Sequence, residues 1–591
     1  MTPPPVVKPT GGCDTADGLD NTYCLLPWPN DYYTKADAST PTGRRLNLQP
    51  GQMIKNKASL NNPSVSADPT PYNRSDGFSG NSAILAQIDG LDSPQALAAS
   101  KIAPIHDIGA YAAPDAGLVV IATDGPHAGQ RAPIWSEVDS NATKASNTLV
   151  LTRGAKVLDE GTHYIVAFRN LKKADGTAIP ATGLFKQYRD GTVPAAAPQA
   201  VKDRAAHMVQ LFNALAAAGI SRSSLNLAWD FTTASQQSLS GPVLKMRNQA
   251  FAQLGDATLA DRVVQGDAPT VTIKPFGDQN TTHNYTTSES HYVLRRVDGT
   301  IKVPCYMSNV TFKGATTKYC GPGTTITYGP DGMPKQAVDS HGTPQYYDAP
   351  FTCIVPRASY DSPEMAQNKR PILFGHGLLG DATSLTSVKG RAGVMEGVIC
   401  GTDWIGMSKN DITTVMAALP NLKNFPSIAE RSEQSLLDFL YLGRWMVSQD
   451  ASVLHPGLNA TPEFKPTTGV VVDPGQRLYN LGGSQGGIMG GALTALSPDF
   501  DRSLLDVPAV GYTTLLNRSE ASVAFKPALA IGYPDPAVGQ IALSLIQTIW
   551  DRGEGGGYVH HITDQPLPGT PPHEILILEA FGDHLVTNIQ T

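Results

Sequence analysis

The stretch RLYNLGGSQGGIMGGALTAL, residues 477–496, decides the reading of this chain. The apolar run at its start predicts a strand, GGSQGG a sharp turn, and IMGGALTAL a helix. Ser484 stands at the bend. Gly482-Gly483-Ser484-Gln485-Gly486 fits G-x-S-x-G, in which a strained strand-to-helix turn holds the serine hydroxyl above a sheet. Glycines on either side leave clearance that larger neighbours would remove. The helix N-terminus behind the serine favours developing negative charge. A glycine-rich turn with Ser484 as an ordinary N-cap is the alternative reading of the same residues.

Outward from this turn the same grammar repeats. RPILFGHGLLG (370–380) predicts a buried strand running into a glycine loop, and GVMEGVICGTDWIGMS (393–408) contains a second strand. SEQSLLDFLYLGRWMV (432–447) predicts a helix with an apolar stripe, and SLLDVPAVGY (503–512) and EILILEAFGDHLV (574–586) predict further strands. Short apolar strands alternating with helices imply a mostly parallel sheet over residues 346–591. Upstream the character differs. Residues 1–104 are turn-rich and irregular. Residues 105–190 carry short β-branched and aromatic runs such as LVVIATD (118–124) and NTLVLTRG (147–154). Residues 191–345 are mixed, with a helix over 197–218 closed by Gly219, a strand over 225–235 and a helix over 241–255. The fold class expected is multidomain, a β-rich N-terminal region followed by a C-terminal α/β domain.

Length and composition narrow the function. At 591 residues, three or four domains are expected. The net charge is −7 and no long basic run occurs, so nucleic acid is not an expected partner. No stretch reaches the roughly 18–20 apolar residues of a membrane span. Six cysteines include the close pairs Cys13/Cys24 and Cys305/Cys320, with Cys353 and Cys400 further apart. An even count fits disulfides and an oxidising compartment, although spacing alone does not set the pairing. No C-x-x-C pair supports zinc. The opening Met1-Thr2-Pro3-Pro4-Pro5 carries no signal peptide and reads as a mature N-terminus with an added Met, followed by a flexible tail. A secreted or cell-surface protein is the expectation.

The second chemical signal is Gly375-His376-Gly377-Leu378-Leu379-Gly380. An early strand-to-helix loop supplies one oxyanion donor in such folds, and the residue after the nucleophile supplies the other. These are Leu378 and Gln485. His376 reads as a structural residue beneath that loop. Together GHGLLG and GGSQGG resemble the oxyanion loop and nucleophile elbow of bacterial lipases and esterases of the α/β-hydrolase fold. The resemblance covers about residues 346–591. More closely, through RPILFGHGLLG, LAWDFTTAS and WDRGEGGGYVHHITDQPLPGTPPHEILILEAFGDHLV, the chain is similar to large secreted bacterial proteins with an Ig-like or lipase-type N-terminal region ahead of such a domain, the resemblance upstream being diffuse. Leu158, Gly161, Tyr164, Val166, Asp175 and Gly176 resemble one strand–turn–strand unit of bacterial Ig-like modules.

The resemblance implies a Ser–acid–His chain order. Asp583, after the strand EILILEAF, is the candidate acid. The base is left open. His584 is the only histidine after Asp583, and neighbouring residues point apart, so a hydrogen bond between the two is awkward. One expectation is that the chain stops before its base. Another makes His584 the base with Asp506 as its acid, and superfamily order disfavours His560 and His561. A long insertion, about 513–572, is expected as an apolar lid over Ser484. No metal or organic cofactor is implied. The expected activity is hydrolysis of carboxylic esters, lipids and polyesters among them. Amide or thioester cleavage is a rival. So is a surface adhesion or carbohydrate-binding protein whose hydrolase domain is degenerate.

Overall fold

Two sets of strands, far apart in sequence, build two compact units. The computed structural model describes residues 12–14, 23–58, 63–276, 280–308, 310–312, 315–317, 319–357, 370–448, 455–466 and 469–590. The N-terminal tail expected before Gly12 lies outside the described residues.

The first unit comprises residues 1–239, 419–423 and 522–549. Strands β1 (Thr34–Ala36) and β2 (Arg44–Leu46) form an antiparallel pair. Six more follow: β3 (Ile84–Ala86), β4 (Leu118–Ala122), β5 (Ile134–Val138), β6 (Val150–Gly154), β7 (His163–Arg169) and β8 (Leu225–Thr232). They make two antiparallel sheets, β3-β6-β5 and β4-β7-β8. Residues 105–190, read as one Ig-like module, supply only the middle four of these six. β3 and β8 come from outside that span. The strand and turn within the quoted pattern do form: β7 carries Tyr164 and Val166, and Gly176 closes a turn at φ 85°.

Helix α1 (Gln199–Ala217) buries Met208, Leu211, Phe212 and Leu215, the i, i+3, i+4, i+7 spacing of one helical face. Gly219, at φ 79°, follows its end. Residues 522–549 were expected within a lid. They carry buried apolar side chains of the first unit, among them Ala537, Ile541 and Leu545. Polar ties join them to that unit's N-terminal part: Tyr23 Oη donates to Asp535 at 2.8 Å and Gln540 Nε2 to Asp139 at 3.2 Å.

The second unit comprises residues 240–418, 424–521 and 550–591. Its sheet contains β9 (Val271–Lys274), β10 (His283–Asn284), β11 (Val293–Pro304), β14 (Tyr346–Pro356), β15 (Arg370–Gly375), β16 (Gly397–Thr402), β17 (Leu478–Gly483), β18 (Phe500–Asp506) and β19 (Glu574–Leu578). The short pair β12 (Val310–Phe312) and β13 (Ala315–Thr317) stands outside it. The order is β10-β11-β14-β16-β15-β17-β18-β19, with β9 also on β11. From β16 to β19 all neighbours are parallel; β9, β10, β11 and β14 pair antiparallel. The sheet is therefore mixed, and the unit begins near Ser240 rather than at 346. The cause is the long β11–β14 ladder, which recruits Val293–Pro304 across a separation the local pattern does not reveal.

All six cysteines are paired, as Cys13–Cys24, Cys305–Cys320 and Cys353–Cys400. The third joins β14 to β16 at opposed register positions. Among the described residues no helix is long and apolar enough to cross a membrane.

Two readings of single elements differ from what forms. SLLDVPAVGY ends its strand at Asp506, and a helix starts at Tyr512, after Gly511 in the left-handed region. The helix expected over 432–447 runs from Pro426 to Val447 (α2), with Pro426 at its first position, and every residue of it is buried. It has no solvent face. Several of its polar side chains find partners inside the protein: Arg431 pairs with Asp411 at 3.0 Å, and Gln434 donates to Asp438 at 3.0 Å.

Candidate active site

Ser484 adopts φ 55°, ψ −122°, between β17 and the helix α3 (Gln485–Leu496). A non-glycine residue at positive φ is strained and persists only where its surroundings hold it. Here they do. The Ser484 N–H donates to the Asp506 carbonyl at 3.0 Å, tying the bend to the end of β18. The flanking glycines are sterically required. A Cβ at Gly482 would stand 2.0 Å from the Gly486 oxygen, and a Cβ at Gly486 2.1 Å from the Gly375 oxygen. The second contact also brings the GHGLLG loop, at the end of β15, against the elbow. A Cβ at Gly377 would lie 3.9 Å from that of Ser484. Leu378 and Leu379 turn there, Leu379 at φ 50°, and Leu378 is exposed. The Gln485 amide opens α3, where the first N–H groups have no intrahelical acceptor. Its side chain is held by a 2.9 Å bond from Nε2 to the Met407 carbonyl.

His376 lies buried under this loop. Its Nδ1 donates to the Gly377 carbonyl at 2.8 Å, and its Nε2 accepts the Trp404 N–H at 2.8 Å. Burial pushes its pKa down to about 4, so the ring is neutral and bridges the loop to the end of β16. The next layer is acidic. Asp403 accepts the Ala382 N–H at 2.7 Å, and burial raises its pKa to about 6. Burial raises Asp438, on α2, to about 7; its Oδ1 accepts from Gln434 and its Oδ2 has no partner. Sequence reasoning passed over Asp438, although one acid inside LLDFLYL was its signal.

The direction of the Asp438 shift has a testable consequence. A carboxyl whose folded pKa exceeds its unfolded value contributes stability at low pH and loses it as pH rises through about 7. Asp438→Asn should therefore stabilise the protein by on the order of 2–4 kcal/mol at pH 8 and by clearly less at pH 5, where the folded carboxyl is still protonated. Denaturant unfolding at the two pH values checks this. Equal effects at both would show that the carboxyl is not held protonated.

The other expected site residues do not converge on Ser484. Asp506 sits beside the elbow with both its carbonyl and its carboxylate, which lies 3.8 Å from where a Cβ at Gly483 would stand and 3.8 Å from Arg391. Asp583 uses one oxygen to accept the Leu585 and Val586 amides, at 2.7 and 3.0 Å. His584 is exposed, its Nδ1 3.3 Å from Glu520. Among the described residues no imidazole is hydrogen-bonded to the Ser484 hydroxyl. Asp583 and His584 lie beyond β19, the sheet's last strand, whose Leu576, Ile577 and Leu578 are exposed, as is Phe581 beyond it.

Among the described residues, one group places ligand atoms close enough to hold a metal: Asp31, His163 and Asp230 of the first unit. Its carboxylates already have partners. His163 and His207 bond the two oxygens of Asp230, both at 2.8 Å, and Arg44 lies 3.4 Å from Asp31. Burial opposes charge on His163, yet bonding to Asp230 outweighs it and leaves its pKa raised. A cation between them would have to break the bond from His163 Nε2 to Asp230. Arg204, paired with Asp14 at 2.6 Å, adds to the network.

No protein-family model matches the chain, and no curated protein does. Similar solved structures include acetyl xylan esterase 1 from Thermoanaerobacterium sp. JW/SL YS485, at TM-score 0.25 and 12% identity, covering 58% of this chain and 93% of that one. An acetyl xylan esterase from Paenibacillus sp. R4 gives TM-score 0.27, 12% identity and the same coverage. A structure of prolyl endopeptidases gives TM-score 0.23 and 17% identity over 49% of this chain and 36% of that one. At these scores the likenesses assign neither activity nor substrate.

Proposed function

We propose that the second unit is a secreted serine hydrolase that cleaves carboxylic esters through an acyl-enzyme on Ser484. The observation that carries the reading is the strained Ser484 conformation, packed against the GHGLLG loop at the head of a helix. In this reading the Ser484 oxygen attacks the ester carbonyl, and the Leu378 and Gln485 amides receive the oxyanion. Each such donor supplies about 2.7–4 kcal/mol at the transition state. The alcohol then leaves with a proton, and water hydrolyses the acyl-enzyme. Neutral His376 keeps the loop in place without taking part in proton transfer. Asp583 and His584 are the acid and base of the proposal. For that role His584 must leave Glu520 and reach Ser484; a chain neighbour orients it poorly, so Asp506, beside the elbow, is the other candidate acid. Three disulfides support an oxidising compartment.

An alkyl phosphonate tests the nucleophile: it should label Ser484 stoichiometrically, and absence of labelling would favour a degenerate hydrolase domain. His584→Ala tests the base. Loss of turnover by about 10³-fold or more assigns His584, whereas unchanged turnover assigns another imidazole. Rates on matched ester, thioester and anilide substrates decide the bond cleaved.

A further inference from the structure

The first unit contains a cavity of about 730 Å³, formed entirely by its own residues. That volume lies within the range of small-molecule sites. One wall is the start of β7 with its neighbours: Thr123, Asp124, His163 and Ile165, and Arg44 from β2. The facing wall is α1, through Leu211 and Ala214, with Gln210 and Asn213 exposed at the rim.

The wall is rigid. His163 is anchored at both ring nitrogens, to Thr123 Oγ1 at 2.6 Å and to Asp230 Oδ2 at 2.8 Å, and His207 holds the other Asp230 oxygen from behind. Three separate apolar runs, THYIVAF, AAHMVQL and LAWDFT, each contribute one polar residue to this chain of bonds. Burying such groups is costly unless each is paired, and here each is.

The charge pattern selects the ligand. Arg44 and His163 each face a carboxylate of the network, Asp31 and Asp230. Asp124 accepts the His163 backbone N–H through Oδ1 at 2.7 Å, and its other oxygen carries no hydrogen bond among the described residues. An anion entering the cavity would meet Asp124. A cation would meet the Arg44 guanidinium, which also lines the cavity. A neutral molecule whose hydroxyls both donate and accept suits the Asp124 carboxylate and the Gln210 and Asn213 amides together. The Ile165, Leu211 and Ala214 side chains suit the apolar C–H face of such a molecule.

We propose that the cavity between α1 and β7 binds a neutral, hydroxyl-rich ligand of mono- or disaccharide size, held by Asp124, Gln210 and Asn213. It is a binding site separate from Ser484, and its occupancy does not depend on the hydrolase reading.

The test is calorimetric titration of the whole chain with neutral mono- and disaccharides, beside a carboxylate and an amine of similar size. At least one saccharide should bind at millimolar concentration or below. Two variants should weaken it about tenfold or more: Gln210→Ala with Asn213→Ala, and Ala214→Trp, which fills the cavity. Ester hydrolysis should be unchanged in both. If Ala214→Trp does not fold, the rim double variant decides, since both its side chains are exposed. The proposal fails if no saccharide binds, if the carboxylate or amine binds more tightly, or if the double variant binds as the unmodified protein does. Loss of ester hydrolysis on phosphonate labelling, with saccharide binding intact, separates the two proposals.

Discussion

Ser484→Ala should lower ester turnover by about 10⁵–10⁶-fold, to the level that oxyanion donors and binding alone sustain. The fold should survive, because the ties that hold the bend belong to the backbone. The Ser484 N–H reaches Asp506, and the close approaches at 482 and 486 concern glycines that remain. Steady-state rates with a soluble ester, read beside an unchanged unfolding curve, make the measurement. Turnover within tenfold of the unmodified protein would remove Ser484 from the chemistry.

The largest stability effect is expected at Arg444, which is buried in α2. Its guanidinium takes both oxygens of Asp499, at 2.9 and 3.0 Å, and also reaches Asp256. It lies 4.3 Å from the centre of the Phe251 ring. Arg444→Met would leave two carboxylates buried without their cation, a loss of about 3–5 kcal/mol. Both acids would have to take up protons or draw in water. Denaturant unfolding at neutral pH measures the change. Replacing Asp256 and Asp499 by Asn in the same chain should recover part of it, since the orphaned charges then disappear. A loss under 1 kcal/mol would mean that the network is open to solvent.

What was legible in advance follows from the range of the forces involved. The strand–turn–helix around Ser484 and the strand–loop at 370–380 are local, and each formed where the pattern placed it. Helix 199–217 with its glycine end and the strand at 225–232 were equally legible. Burial on one face and turn chemistry act over a few residues, so period and glycine position suffice to find them. Helix α2 shows the limit of period. LLDFLYLGRWMV reads as a stripe, yet all sides are buried, because Asp411, Asp256 and Asp499 arrive from elsewhere to meet its arginines.

The rest required chain segments to meet. The apolar excursion over 522–549 supplies core to the first unit, a partner its own sequence does not name. The cysteine count predicted bridges, but only the β14–β16 register joined Cys353 to Cys400. The Asp230 network draws single residues from three strands or helices, none marked as chemical in its own run.

By itself, then, the sequence determined the local elements, the elbow that presents Ser484, the glycines that elbow requires and the presence of an oxidising framework. Tertiary structure alone decided where the units divide, which strand edges pair, that His376 is a neutral bridge, and that Asp583 and His584 have other partners. The physical reason is that apolar burial has no direction. A periodic run states that a face will be covered. Only the complementary side chains and backbone edges of distant segments state by what.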